Sequence, residues 1–355
     1  MSHQNDHEAG RPASLVEVWR GSIIESQHRG HLIAVDAVGR TVAALGSPAT
    51  VTYLRSSGKP FQALPVVASG AADRFGFSEQ EVAIACGSHS GEAIHVDTVR
   101  SMLDKIGLDE SALKCGVHEP FSAEVSRALV RNQQQPSVLQ NNCSGKHAAM
   151  LALALHLDAS TDSYDDWRHP VQQAITKTVS EFSDCPVGQI AIGVDGCGAP
   201  VFGIPVSAMA LIYARLVSPP ESFSTATRDA CRRIIKAMIG FPEMVGGTKD
   251  RLDTELIKAG GGRLISKIGA EGVYTVAVLP SESWPNGLGL ALKIEDGDDH
   301  RARPPAVIEA LRQLNVLSGK ELERLASYAP TLINNRRGER VGEARAAFKL
   351  EINAP

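Results

Sequence analysis

The order in which strand-forming and helix-forming segments follow one another constrains this chain most. Segments with strand character at 16–18, 23–26, 31–38, 41–45 and 51–54 are separated by Gly, Ser and Pro, the pattern of an antiparallel meander. The pattern then turns helical. Pro60 suits a first turn, Phe61, Leu64 and Val67 recur at helical spacing up to Gly70, and Pro65 is expected to kink that helix. Ser78 and Glu81 form a capping-box pair opening a helix that ends near Gly87, and 94–107, 123–132, 146–156 and 170–182 read as further helices. Strands return at 272–279 and 288–294, followed by helices over 304–317 and 318–329. Strands first, helices in the middle, and strands with helices last predict an α+β protein. Its antiparallel sheet is completed by both chain ends around a helical insertion.

The 355 residues, 43% hydrophobic and 21% charged, are enough for one large domain or two closely packed lobes and exclude a disordered chain. A net charge of −4 gives no reason to expect nucleic acid or an anionic membrane as partner. Residues 1–12 are polar and lack the apolar core of a signal peptide, so a disordered tail and a cytoplasmic location are expected. The six cysteines are widely spread and, in a reducing compartment, read as thiols or ligands rather than disulfides.

Three motifs carry chemistry: Ser56-Ser57-Gly58-Lys59, Ser88-His89-Ser90 and Lys267-Ile268-Gly269. A serine three residues before a lysine, a second serine motif and a distal Lys-x-Gly follow the order seen in acyl-transferring serine enzymes that use lysine as base. If Ser56 begins a helical turn, Lys59 returns to the same face. An amine serves as base only when its pKa falls well below about 10.4, which a second cation such as Lys267 would bring about. The serine β-lactamase fold is built in this order, although the short interval from Ser56 to Ser88 and the long one to Lys267 are unlike an ordinary β-lactamase. Taken alone, a Ser-x-x-Lys is a common chance occurrence.

Cys143 and Cys197 sit in polar, glycine-rich turns, Asn142-Cys143-Ser144-Gly145 and Asp195-Gly196-Cys197-Gly198, and read as zinc ligands, redox thiols or loop cysteines, the zinc signal being weak without a CxxC pair. Cys115 and His118 form a further pair, read as structural. Gly246-Gly247-Thr248 is read as a turn with a helix-capping threonine rather than a nucleophile. Gly260-Gly261-Gly262 is read as a helix terminus. Arg251 and Asp253 are weaker candidates for shaping a pocket, and His89 and His147 are expected to be buried and hydrogen-bonded.

Arg55-Ser56-Ser57-Gly58-Lys59, Cys86-Gly87-Ser88-His89-Ser90-Gly91-Glu92, Cys115-Gly116-Val117-His118, Asn142-Cys143-Ser144-Gly145-Lys146-His147, Asp195-Gly196-Cys197-Gly198-Ala199-Pro200 and Lys267-Ile268-Gly269-Ala270-Glu271-Gly272-Val273-Tyr274 together resemble the class 3, Rhizobium-type L-asparaginases of the asparaginase II family. The resemblance implies a serine β-lactamase-like domain over 13–355 in two lobes, assembled as a homodimer that hydrolyses L-asparagine to L-aspartate and ammonia. It implies two Ser/Lys pairs, Ser56 with Lys59 and Ser88 with Lys267, and a zinc ion on Cys143, Lys146 and Cys197 with Asp195 close by. Arg55, His89 and Asp195 are expected around substrate, and backbone amides near Ser56 as oxyanion donors. The alternatives are another serine/lysine acyltransferase, a β-lactamase-like hydrolase, or a non-catalytic zinc or amino-acid binding protein.

Overall fold

The structure, a computed structural model, describes residues 10–353. The tail expected at 1–12 therefore lies, up to residue 9, outside the described residues. In chain order the strands are β1 (Ala13–Arg20), β2 (Ile23–Val35), β3 (Thr41–Leu45), β4 (Val51–Tyr53), β5 (Ala191–Val194), β6 (Pro200–Pro205), β7 (Leu264–Ile268), β8 (Val273–Val278), β9 (Leu288–Ile294), β10 (Thr331–Asn334) and β11 (Arg340–Ala346). The chain divides into two compact units. Unit 1 holds the residues up to Thr52, Ile204–Ser218 and the residues from Glu255 on; unit 2 holds Tyr53–Gly203 and Pro219–Thr254.

Unit 1 is built on an eight-stranded sheet of order β10-β11-β1-β2-β9-β8-β7, with β3 also paired to β2. Strands from the first 45 residues thus share one sheet with strands from 264 to 346, and the pairings are antiparallel. β8 is buried at every position and β9 at all but Lys293. A strand reads as a continuous apolar run when both faces are covered, and the helices Val206–Val217 and Arg303–Gln313 pack against these strands.

The sequence predicts two strands around Gly30, but β2 is a single strand. Gly30 marks a close approach rather than a turn: a Cβ there would lie 2.1 Å from the Lys293 carbonyl oxygen of β9. The helix expected over 304–317 ends at Gln313, where Asn315 takes a left-handed φ of 55°. The one expected over 318–329 is only Gly319–Arg324, opened by the anticipated Ser318/Glu321 capping box, and the chain then enters β10 and β11.

Unit 2 gathers helices around Ser144–His156, which is buried from Ser144 through Ala154. Its sequence, SGKHAAMLALALH, is apolar around most of its circumference, so it has no solvent face and takes the centre. Lys59–Ala68, Glu79–Ala85, Ala93–Lys105 and Pro170–Ser183 pack on it. Lys59–Ala68 continues past Pro65, where a kink was expected. β5 and β6 pair with Ala191 opposite Gly203 and Val194 opposite Pro200. Asp195-Gly196-Cys197-Gly198 forms the tight turn between them, closed by Gly198 N–H on the Asp195 carbonyl at 2.9 Å. Among the described residues, no helix is long and apolar enough to cross a membrane.

Candidate active site

The first motif folds as a 3-10 turn, Arg55–Gly58, running directly into the helix that begins at Lys59. In 3-10 geometry side chains at i and i+3 eclipse, so Ser56 and Lys59 leave the turn on one side. The Lys59 N–H closes the turn on the Ser56 carbonyl. The two serines differ in what they are free to do. Ser57 is fully buried and donates its hydroxyl to Leu54 O at 2.6 Å, whereas Ser56 is half-buried. The Ser57 N–H also donates to Leu54 O, at 3.1 Å, which removes the nearest amide from the expected oxyanion donors.

Lys59 is buried, and its amine donates to the carbonyls of Gly87 at 2.6 Å and Asn142 at 2.8 Å. Burial lowers its pKa from the ordinary value; the Cys143 and Cys197 thiols oppose that shift and the Lys146 ammonium adds to it. A neutral amine has two N–H groups and one lone pair. The two carbonyls engage two of the Lys59 hydrogens, and the Cys143 side chain is a further hydrogen-bond partner of the amine. No residue type marks a backbone carbonyl, so sequence reasoning had no signal for these two acceptors.

Gly87 connects this amine to the second motif. Ser88 follows it, is buried, and donates its N–H to Val245 O at 2.8 Å. A Cβ on Gly87 would lie 2.2 Å from the Met244 carbonyl oxygen, so only glycine lets these two backbones touch. Lys267 is carried by unit 1, on β7 opposite Thr275, where it is fully buried and its amine donates to Ile268 O at 3.2 Å.

His89 and His147 are buried and hydrogen-bonded. His89 accepts the Gly91 N–H at Nδ1, 3.3 Å, which makes Nε2 the donor to Ser144 Oγ at 2.9 Å, and Ser144 passes its proton to Leu139 O at 2.8 Å. With both nitrogens engaged, burial first and the stacked His95 second hold His89 well below the usual imidazole pKa. It is therefore held neutral. Thr248 caps no helix, since the next begins at Leu252; its N–H donates to Glu92 Oε1 at 3.1 Å.

The first turn of the central helix presents Cys143 and Lys146 toward the β5–β6 turn, where Lys146 Nζ lies 3.0 Å from Cys197 Sγ. Cys197 is held as a thiolate, first by a hydrogen bond from Cys143 and then, against burial, by Lys146 and His147. Cys143, the donor, is pushed up by that same bond and by burial. Burial works against charge on Lys146, but the two sulfurs outweigh it and raise its pKa. His147 Nδ1 meets Tyr164 Oη at 2.8 Å, which also accepts the Lys114 N–H at 2.8 Å.

Among the described residues, no group of three or more His, Cys, Asp or Glu side chains is placed to hold a metal ion. The Cys143, Lys146 and Cys197 cluster is a different donor set, two sulfurs and an amine. Sulfur and nitrogen donors suit a thiolate-seeking cation such as zinc, on condition that Lys146 gives up its proton. Cys115, buried nearby, has its thiol pushed up to about 12 by burial and then by Cys197. His118 accepts the Asn142 N–H at 3.1 Å, so this pair braces the Cys143 loop, as expected of a structural pair. Arg55 Nε donates to Asp195 Oδ1 at 3.0 Å, and the Gly196 N–H donates to the same oxygen at 2.9 Å.

The family described as L-asparaginase II matches residues 16–346 of the chain. No curated protein sequence matches it. Among solved structures, a probable glutaminase from Bacillus subtilis complexed with 6-diazo-5-oxo-L-norleucine is similar at 11% identity and a TM-score of 0.40, covering 81% of this chain and 85% of that one. Mglu in its native form is similar at 15% identity and a TM-score of 0.43, covering 87% and 68%. Likenesses this loose carry no argument about the site.

Proposed function

The chain belongs to the L-asparaginase II family and is an amidohydrolase, and on that premise we propose that it hydrolyses the side-chain amide of L-asparagine to L-aspartate and ammonia through a Ser56/Lys59 pair. The observation that carries this reading is the Lys59 amine, buried one 3-10 turn after Ser56 with two carbonyls engaging its protons. Burial lowers the pKa of this amine, the direction a lysine must move to act as the base that a serine hydroxyl needs to become a nucleophile.

In this mechanism Lys59 takes the Ser56 hydroxyl proton as Oγ attacks the amide carbon. The C–N bond of the tetrahedral intermediate then breaks, and the Lys59 ammonium returns the proton to the departing nitrogen, which leaves as ammonia. Lys59 next deprotonates a water that attacks the Ser56 ester, and the serine oxygen recovers its proton as aspartate departs. The family resemblance supports Ser88 and Lys267 as proton-relaying residues in the same chemistry. Arg55 and Asp195 position the turn that carries Ser56. Cys143, Lys146 and Cys197 would hold zinc, which when bound supplies positive charge that orders the two cysteine-bearing loops and orients polar groups of the substrate. The family resemblance supports a serine β-lactamase-like fold, a homodimer and a cytoplasmic location as parts of the same proposal.

The test is ammonia release from L-asparagine by the wild type and by Ser56→Ala, with D-asparagine and L-glutamine as controls. Release that vanishes in the variant supports the reading. A folded, zinc-loaded wild type that binds asparagine and releases nothing overturns it in favour of a binding protein.

A further inference from the structure

The Lys59 amine is fixed by a carbonyl that has no side chain to hold it in place. Backbone hydrogen bonds from the Gly87 N–H to Ile84 O at 2.9 Å and from the Ser88 N–H to Val245 O at 2.8 Å hold one side of this segment, and a further clamp comes from far along the chain. Arg251 donates from one terminal nitrogen to Ser88 O at 2.8 Å, and from the other to Ser90 Oγ at 2.8 Å and Gly246 O at 2.9 Å. Ser90 Oγ donates in turn to Gly246 O at 3.0 Å. The segments 87–90 and 244–247 therefore pack backbone against backbone. A Cβ on Gly247 would lie 2.3 Å from Ser90 Oγ, so this close approach requires glycine there. The Phe121 ring stacks 5.5 Å from the guanidinium carbon and sets the plane of the fork.

We propose that Arg251 is a positioning residue of the catalytic centre: its guanidinium clamps Ser88, Ser90 and Gly246, and so holds the Gly87 carbonyl on the Lys59 amine and Ser88 at its station. This rests on the Ser56/Lys59 reading. The geometry demands a planar fork that reaches three acceptors from two nitrogens, which a lysine ammonium on a flexible stem does not reproduce. Arg251 acts on the substrate only through these atoms, so its loss removes orientation and leaves ground-state binding in place.

Arg251→Ala and Arg251→Lys are compared with the wild type in two assays. One is steady-state ammonia release from L-asparagine; the other is the rate of serine modification by a fluorophosphonate, followed by intact mass, which needs an activated serine but no amidase turnover. The expected result is a loss on the order of 10–100-fold in kcat and in labelling rate in both variants, with KM within about threefold of wild type. Millimolar guanidinium is expected to restore activity to Arg251→Ala and not to Arg251→Lys, a rescue that a general loss of stability would not show. Both readouts within twofold of wild type would overturn the proposal, as would a KM rise with kcat unchanged. If the wild type labels rapidly in an Arg251-dependent way but releases no ammonia, the positioning role stands and the asparaginase reading falls.

Discussion

Arg55 reaches Asp195 at 3.0 Å and ties the turn that carries Ser56 to the turn that carries Cys197. Arg55 sits at a φ of 50°, a left-handed conformation that a non-glycine residue adopts at a cost. Both partners are mostly shielded, with side-chain exposures of 28% and 15%, and Asp195 gains a second hydrogen bond from Gly196. Asp195→Ala should therefore destabilise the protein by about 1–3 kcal/mol and lower kcat, because the strained turn loses its anchor. Thermal melts and turnover of this variant check the claim; wild-type values for both would remove the anchor from the account.

The serine assignment separates Ser56 from Ser88. Ser56→Ala should lose at least about 10³-fold in kcat, as removal of a nucleophile does in serine hydrolases, while Ser88→Ala loses less. Should Ser56→Ala retain most of its turnover while Ser88→Ala is dead, the roles are reversed.

Zinc should bind once per chain, with affinity falling as pH drops, since the Cys143 thiol and the Lys146 ammonium must both surrender protons. Metal analysis after dialysis and a zinc titration followed by melting temperature give the readout. Cys143→Ser and Cys197→Ser are each expected to bind less metal; full stoichiometry in both variants would place the ion elsewhere.

His89 is neutral in the folded protein because burial depresses its pKa, and burial does the same to His31. A base with a depressed folded pKa contributes stability that is present above its unfolded pKa, about 6.5, and is lost as pH falls below it. The unfolded chain binds protons in that range that the folded chain refuses. Melting temperature should thus decline below about pH 6.5, and His89→Gln should flatten part of that slope. An unchanged slope would mean that His89 takes up its proton without opening the fold.

Gly289 on β9 faces the helix Val206–Val217, where an added Cβ would lie 1.9 Å from Ala210 O and 2.5 Å from Ala214 N. Backbone atoms cannot yield as a side-chain tip does. Gly289→Ala should cost about 1–3 kcal/mol or more, measured by urea unfolding of the variant against wild type.

Some of this molecule was legible before any coordinates. The strands β1 to β4, β8 and β9 and the helical middle follow from local pattern, and the Ser78/Glu81 and Ser318/Glu321 capping boxes form where the spacing places them. Lys146 was named as a candidate ligand only because Asn142-Cys143-Ser144-Gly145-Lys146-His147 resembles a family motif; its spacing alone named no ligand. The helices Val206–Val217 and Thr225–Gly240 and the strands β5, β6, β10 and β11 were not anticipated. β5 and β6 are short, and β5 is largely exposed, so neither carries the alternation or length that marks a strand.

The sequence by itself determined which side chains were available for chemistry: a serine and a lysine one helical turn apart, two cysteines in glycine-bordered turns, and a helix too apolar to lie on the surface. Those are properties of neighbours along the chain, where spacing and composition act directly. Only the tertiary structure decided that the amine of Lys59 meets the carbonyls of Gly87 and Asn142, that Cys197 lies against Lys146, and that Arg251 clamps Ser88. Each of those contacts joins residues distant in the chain, and several use backbone atoms common to every residue, so no local pattern encodes them. Burial then makes them matter, because withdrawal from water disfavours the charged form of an amine, as at Lys59, unless sulfur anions beside it outweigh that, as at Lys146.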